Sequence, residues 1–235
     1  MRVHVAFTPA EAASSPVGIV VDVLRATSTI TQALATGYER VYCSGEIDEA
    51  LALKATLGNA ILGGERNAVR IDGFDVGASP REFLGEPRTE TVIFSTTNGT
   101  RAILETAARS DHVVLGSLLN LDAVAAAARE LDDDVTIVCA GFQGQFALDD
   151  AYCAGRIVQL LDSEPSDSGK AAAAIARAWP DAHEGLLART YGPPGLEEDI
   201  AFCAQVSVLD VVPRLSRMVD GAAEITLQRG QLGSV

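Results

Sequence analysis

Ile19-Val20-Val21-Asp22-Val23-Leu24-Arg25-Ala26-Thr27-Ser28-Thr29-Ile30 is the stretch on which the reading of this chain turns. An apolar, β-branched run stops at an aspartate, a short loop carries an arginine, and a helix-like stretch rich in hydroxyls begins. Apolar residues at consecutive positions suit a strand buried on both faces, as in a parallel sheet. A buried strand that ends in an acid and opens into a Ser/Thr-rich helix start suits a metal-assisted phosphate site. Asp22 can hold a hard cation, Arg25 can grip an anion through two nitrogens, and the free N–H groups of the helix start favour negative charge. A purely structural reading stands beside it, in which Asp22 caps the helix and Arg25 pairs with it at the surface.

Outward from this stretch, short β-rich runs alternate with amphipathic ones. Strands are expected over 3–7, 17–21, 40–43, 60–62, 91–95, 112–115 and 135–139, and helices over 28–35, 47–57, 101–109, 122–131 and 149–161. This rhythm predicts an α/β fold with a largely parallel sheet and helices on both faces. The turn-rich Ser163-Glu164-Pro165-Ser166-Asp167-Ser168-Gly169 breaks it. Helical patterns follow over 170–178, 181–190 and 196–204, and a last strand over 223–228. One domain over 1–235, with a helical insertion over 164–205, is the expected organisation. A short internal echo, strand then polar loop with Arg and Thr then helix, relates 20–30 to 93–103 and suggests two similar units facing each other.

With 235 residues, 48% of them hydrophobic, the chain can bury a sizeable core. No apolar run reaches the roughly 20 residues of a membrane helix, and the first residues lack the basic-then-apolar pattern of a signal peptide. Cys43, Cys139, Cys153 and Cys203 form no CxxC pair and read as reduced, mostly structural thiols of a cytoplasmic protein. A formal charge of −14 argues against nucleic acid and against an anionic membrane as partners. Lys54 and Lys170 are the only lysines. A lysine-poor, acidic surface fits a cytoplasm of high salt, where self-repulsion is screened; a GC-rich genome produces the same bias. His4, His112 and His183 lie in no zinc-binding spacing. Neither a GxSxG elbow nor a GxGxxG turn after a strand is present, which sets aside serine hydrolases and nicotinamide binding. Cys139 ends a strand, but no arginine follows at the spacing of a cysteine phosphatase loop.

Further segments carry candidate chemistry. Gly63-Gly64-Glu65-Arg66-Asn67 follows an expected strand; paired glycines let a backbone turn sharply and approach a ligand, presenting Glu65 and Arg66 at the strand's C-terminal end. A surface turn with a solvated Glu–Arg pair is the alternative. In Gly77-Ala78-Ser79-Pro80, Ser79 reads as an N-cap with proline at the first helical position, serving as an anion pocket or an ordinary cap. Ser95-Thr96-Thr97-Asn98-Gly99-Thr100-Arg101 runs from a strand into hydroxyls, an Asn-Gly turn and an arginine. Backbone N–H groups around Gly99 can nest phosphate oxygens, with Thr96, Thr97, Thr100 and Arg101 adding donors; the spacing is not that of a Walker A loop. Asp149 and Asp150 follow a strand ending in Cys139-Ala140-Gly141, either as first-turn caps or as a carboxylate brought to a metal. Asp199 is a site acid or a helix-face charge.

Together these segments resemble the 2-phosphosulfolactate phosphatase (ComB-like) family. The residues that carry the resemblance are Asp22-Val23-Leu24-Arg25-Ala26-Thr27, Gly64-Glu65-Arg66, Gly73-Phe74-Asp75, Ser79-Pro80, Thr96-Thr97-Asn98-Gly99-Thr100-Arg101, Asn120, Cys139-Ala140-Gly141, and Asp150 with Cys153-Ala154-Gly155. The resemblance as a whole extends over 17–213. The resemblance implies a three-layer α/β/α sandwich. It also implies a magnesium-dependent enzyme that hydrolyses the phosphate ester of 2-phospho-3-sulfolactate to 3-sulfolactate and phosphate, a step toward coenzyme M. Carried to this sequence, it implies a site built from Asp22, Arg25, Thr27, Glu65, Arg66, Asn98, Thr100, Arg101 and Asp150. Asp22, Glu65 and Asp150 are the acids expected to hold Mg²⁺ and to serve catalysis. Ser79, Thr97 and Gly99 join the others as expected substrate ligands. The family usually has Gly-Asn-Ser-Pro where this chain has Gly77-Ala78-Ser79-Pro80, and Glu-Asp where it has Asp149-Asp150. The second departure keeps the charge; the first removes an amide that could touch substrate and bears on substrate identity.

The expectation is therefore a phosphatase of a small, highly anionic phosphorylated acid. A substrate with phosphate plus sulfonate or carboxylate needs cations on two sides, for which Arg25, Arg66 and Arg101 are the expected source. Water and an aspartate that forms a phosphoenzyme both stand as nucleophile. The alternatives are a phosphatase of another phosphorylated metabolite and a non-catalytic anion-binding protein. The acids Asp22, Glu65 and Asp150 speak against the last, because carboxylates beside an anion repel it. A homodimer is compatible with the sequence.

Overall fold

Apolar runs and amphipathic runs take up strand and helix in turn in a computed structural model that describes residues 1–161, 163–192 and 194–227. The first half contains β1 (Arg2–Ala6), β2 (Val17–Val21), α1 (Ala26–Thr36), β3 (Arg40–Cys43), α2 (Ile47–Leu57), β4 (Ile61–Arg66), β5 (Val69–Arg70), β6 (Thr91–Ser95) and α3 (Gly99–Ala107). The second contains β7 (His112–Gly116), α4 (Leu121–Leu131), β8 (Val135–Cys139), α5 (Leu148–Leu160), β9 (Glu164–Pro165), α6 (Asp167–Ala178), α7 (Ala182–Leu187), α8 (Glu197–Cys203), β10 (Pro213–Val219) and β11 (Ala222–Leu227).

One sheet takes the order β5-β4-β6-β3-β11-β10-β7-β2-β8-β1-β9. It consists of two parallel blocks, β4-β6-β3 and β7-β2-β8-β1-β9, joined by the antiparallel hairpin β10–β11. The hairpin turns at Asp220 and Gly221, φ +48° and +83°, the pair of left-handed residues that matches strand twist in a two-residue turn. Buried Glu224 of β11 ties the hairpin to the first block. It accepts from the Tyr42 hydroxyl at 2.8 Å and from Arg217 Nε at 3.0 Å.

Strand alternation divides the core. Ile19 and Val21 of β2 pack with α4, α5 and α6, whereas Val20 faces a second cluster with Ile30 of α1 and Ile103 of α3. In β6, Phe94 joins that second cluster and Ile93 faces α2. Helices α1 and α3 thus cover one face of the sheet and α2, α4, α5 and α6 the other, which is the expected three-layer α/β/α sandwich. The echoed segments face each other across the second cluster.

Three local expectations are corrected. Gly63 and Gly64 do not turn: β4 continues through Arg66, and the turn falls at Asn67-Ala68, φ +52° and +62°. The glycines serve close approach instead, since a β-carbon at Gly64 would overlap the Ser95 carbonyl. β10 adds a strand that the sequence reading lacks. The helix α6 begins inside the turn-rich 163–169 run, with Ser166 as N-cap. The last strand ends at Leu227, and Gln228 lies outside the described residues. No helix of the described residues is long and apolar enough to cross a membrane. The four cysteines are buried free thiols. Burial pushes the Cys139 thiol well above its ordinary value, which makes it a poor nucleophile.

Candidate active site

A cavity of about 260 Å³ opens at the C-terminal ends of β2, β6 and β8, where Asp22, Thr96–Asn98 and Gly141–Gln143 leave the strands. Open α/β sheets bind ligands at this end. The starts of α1, α3 and α5 converge on the same cavity through Ala26, Asn98 and the pair Asp149 and Asp150, so three positive helix ends face it.

Asp22 is buried where β2 becomes α1. Its Oδ1 accepts from the Ala26 N–H at 3.2 Å. Thr27 lies outside the cavity and fixes this turn: its hydroxyl donates to the Asp22 carbonyl at 2.9 Å and accepts from the Asp22 N–H at 3.1 Å. Burial pushes the Asp22 carboxyl up to about 7, with Glu65 and Asp149 adding to the rise and the Ala26 N–H and Arg25 opposing it. Asp150 clamps two loops, accepting from the Val23 N–H at 2.9 Å and the Gly141 N–H at 3.0 Å. Burial, with Asp149 and Asp22 nearby, holds it well above the usual carboxylate range. Burial also raises Asp149, which accepts a hydrogen bond from the Tyr191 hydroxyl.

Glu65 sits in the cradle expected to receive phosphate. Its carboxylate accepts from the Thr97 N–H at 2.7 Å, the Thr97 hydroxyl at 3.2 Å and the Ala68 N–H at 2.5 Å. Arg25 reaches the cavity with its charge taken by Asp199 of α8, Nη1 to Oδ2 at 2.7 Å. Ser79 caps the turn Pro80–Phe83 and donates to the other Asp199 oxygen at 2.5 Å, outside the cavity lining. Asp199 thus joins α1, α8 and the Ser79 turn.

The remaining expected residues divide by direction. Asn98 lines the cavity and accepts from the Gln143 N–H at 3.1 Å, joining the loops after β6 and β8. Gly99 permits the contact of α3 with the site, because a β-carbon there would overlap Asp22 Oδ2 and the Ala26 side chain. Thr100 is buried in reciprocal hydrogen bonds with Thr96, each N–H to the other's hydroxyl at 3.1 Å. Arg66 and Arg101 do not line the cavity. Successive residues of a strand point to opposite faces, so Glu65 facing the cavity turns Arg66 away, toward Ser95 Oγ at 2.9 Å. Two positions along a helix turn a side chain by about 200°. With Gly99 packed inward, Arg101 is exposed and pairs with Glu46 at 2.8 Å.

Arg189, Tyr191, Gly192 and Leu196 complete the wall from the connection between α7 and α8, and Phe142 and Gln143 from the loop after β8. Tyr191 stacks on Phe142 with ring centroids 4.6 Å apart. The sequence reading missed these residues. The only signal was the turn-rich Gly192-Pro193-Pro194-Gly195, which marks a loop and not a site.

Among the described residues the titratable groups lining the cavity are carboxylates and arginines with one tyrosine, and neither histidine nor cysteine lines it. An oxygen-only donor set suits a hard cation such as Mg²⁺, which takes one or two carboxylates and completes its shell with water and substrate phosphate. Among the described residues no group of three His, Cys, Asp or Glu side chains is arranged to hold a metal ion. Glu65 and Asp150 have both oxygens engaged by protein donors. The second oxygens of Asp22 and Asp149 accept no hydrogen bond among the described residues.

A family model described as 2-phosphosulpholactate phosphatase matches residues 4–218. A protein of Thermus thermophilus named "Probable 2-phosphosulfolactate phosphatase" is 40% identical, over 94% of this chain and 98% of its own length. Relatives of the same name from Carboxydothermus hydrogenoformans and Caldanaerobacter subterraneus subsp. tengcongensis are 38% and 40% identical, over 91% and 84% of this chain and 92% and 86% of theirs.

Proposed function

This chain belongs to the 2-phosphosulpholactate phosphatase family, and from that premise we propose that it is a phosphoric monoester hydrolase with Mg²⁺ as cofactor. Its substrate in this reading is 2-phospho-3-sulfolactate, split into 3-sulfolactate and phosphate on the way to coenzyme M. The observation that carries the reading is the convergence of three helix N-termini and two guanidiniums on a cavity that also contains four acids. Helix ends and arginines favour a phosphate. Ionised carboxylates beside that phosphate repel it, and a cation between them removes the repulsion.

Asp22 and Asp149 would hold the ion, through the oxygens left free of hydrogen bonds. Bound there, Mg²⁺ would neutralise phosphate oxygens and make a nearby water more acidic. The chain's own groups do the rest. Arg25, braced by Asp199, orients the phosphate. Asp150 and Glu65 hold the loops after β2, β8 and β6 in place. Tyr191 and Phe142 wall the site from water. A related phospho-acid is the second reading. Ala78, buried in the cavity wall, stands where the family usually has an asparagine.

Phosphate release from 2-phospho-3-sulfolactate, other 2-phospho-acids and 4-nitrophenyl phosphate, in Mg²⁺ and in EDTA, tests this. Release in Mg²⁺ and none in EDTA is expected. Undiminished release in EDTA removes the cofactor, and a better phospho-acid than the sulfolactate ester replaces the substrate. No release from any ester, with 3-sulfolactate still bound, leaves an anion-binding protein.

A further inference from the structure

Two guanidiniums line the cavity, and they are not equivalent. Arg25 is neutralised by Asp199. Arg189 forms no ion pair among the described residues. It is also held in place. Its guanidinium carbon lies 5.9 Å from the centre of the Tyr191 ring, and that ring is fixed by its stack on Phe142 and its hydroxyl on Asp149. Gly192, at φ +101°, wraps closely around it: a β-carbon there would overlap Arg189 Nη1. A charged side chain held against an aromatic face beside a cavity, near enough for Asp149 to feel its charge but in ion-pair contact with no carboxylate among the described residues, is a preorganised receptor for an anion.

We propose that Arg189 binds the non-reacting anion of the substrate, the sulfonate or carboxylate of the phospho-acid, and thereby selects doubly anionic esters. This rests on the phosphatase reading above and replaces Arg66 and Arg101, which face away from the cavity, as the source of the second cation. The planar fork of arginine matches both sulfonate and carboxylate geometry. A substrate whose phosphate lies against Asp22 and the start of α1 would turn its other charged end toward the wall that Arg189 forms. An aryl phosphate has no group to place there.

The test compares wild type, Arg189→Gln and Arg189→Lys in Mg²⁺ on 2-phospho-3-sulfolactate and 4-nitrophenyl phosphate, with calorimetric titration of 3-sulfolactate. Arg189→Gln is expected to raise KM for the sulfolactate ester about tenfold or more, the scale of a charge-assisted hydrogen bond. It should weaken 3-sulfolactate binding by a similar factor and cost the sulfolactate ester clearly more kcat/KM than the aryl phosphate, and Arg189→Lys should recover part of the loss. Equal losses on both esters, or an unchanged KM, overturn the assignment. If wild type hydrolyses neither ester, the phosphatase reading fails, and calorimetry alone decides the role of Arg189. Tenfold weaker 3-sulfolactate binding then supports it, whereas equal binding, or none to wild type, overturns it.

Discussion

Arg25 and Asp199 form an ion pair at 2.7 Å across 174 residues of sequence, with side chains only 9% and 7% exposed. The pair fastens the start of α1 to α8, and through Ser79 to the turn at Pro80. A helix far along the chain therefore sets the position of a cavity arginine.

Asp199→Ala should be strongly destabilising, because it leaves the buried Arg25 charge without its ion-pair partner, with only the Ala68 carbonyl beside it, and Ser79 without an acceptor. Removing one member of a buried pair typically costs about 3–5 kcal/mol. Asp199→Asn keeps a carbonyl oxygen for Arg25 and can donate its NH2 to Ser79 Oγ, and should cost less. Urea denaturation midpoints measure the difference; an unshifted midpoint for the alanine variant would show that the pair contributes nothing to the fold.

Asp22→Asn should abolish turnover and stabilise the metal-free protein at neutral pH. Loss of one electrostatic participant costs about a hundredfold or more in rate. The stability effect has the opposite sign. Burial raises the Asp22 carboxyl from 3.8 to about 7, so between those values the folded state binds more protons than the unfolded one. Stability of the wild type in EDTA should fall as pH rises through that window, and the penalty is complete above it. Asp149 and Asp150 are shifted in the same direction. Melting temperatures measured from pH 3.8 to about 7 should slope less steeply in the variant. Parallel slopes would exclude Asp22 as a source of the pH dependence.

Gly99→Ala should impair activity through Asp22. The added methyl meets Asp22 Oδ2 and the Ala26 side chain, so either the carboxylate or the start of α3 must move. Overpacking of this kind costs typically about 1–3 kcal/mol. The expected result is a folded protein of lower melting temperature whose kcat falls with the same variant's Mg²⁺ affinity. Wild-type kcat would mean that the contact is not part of the site.

Ala78→Asn adds the amide that the family resemblance implies at this buried position of the cavity wall. It should shift preference toward 2-phospho-3-sulfolactate over other phospho-acids, while 4-nitrophenyl phosphate hydrolysis stays close to wild type. A hydrogen bond to a charged group contributes about 1.5–3 kcal/mol, enough for a tenfold shift. An unchanged ranking across a phospho-acid panel rules out position 78 as a reader of substrate.

The strands over 17–21, 40–43, 91–95 and 135–139 and the helix over 47–57 stand where the sequence reading places them. Their signals are local: β-branched runs, helical periodicity, and acids or hydroxyls where the chain changes direction. β10 was not legible, because Pro213-Arg214-Leu215-Ser216-Arg217 lacks a clean apolar alternation and becomes a strand by pairing with β11 and β7. The Asp220-Gly221 turn was its one local mark.

By itself the sequence determined the layered α/β architecture, the family, and the acids and Asn98 at the strand ends. The architecture follows from the rhythm of strand and helix patterns, and the family and the site residues from the motifs that carry the resemblance. Only the tertiary structure decided which side chains meet. Arg66 and Arg101 bear the same charge as Arg189 and lie in more suggestive motifs, yet strand pleat and helix phase aim them elsewhere. Arg189 and Tyr191 reach the cavity because the connection between α7 and α8 folds back over the ends of β2 and β8. That placement depends on packing between distant segments, and no short stretch of sequence encodes it.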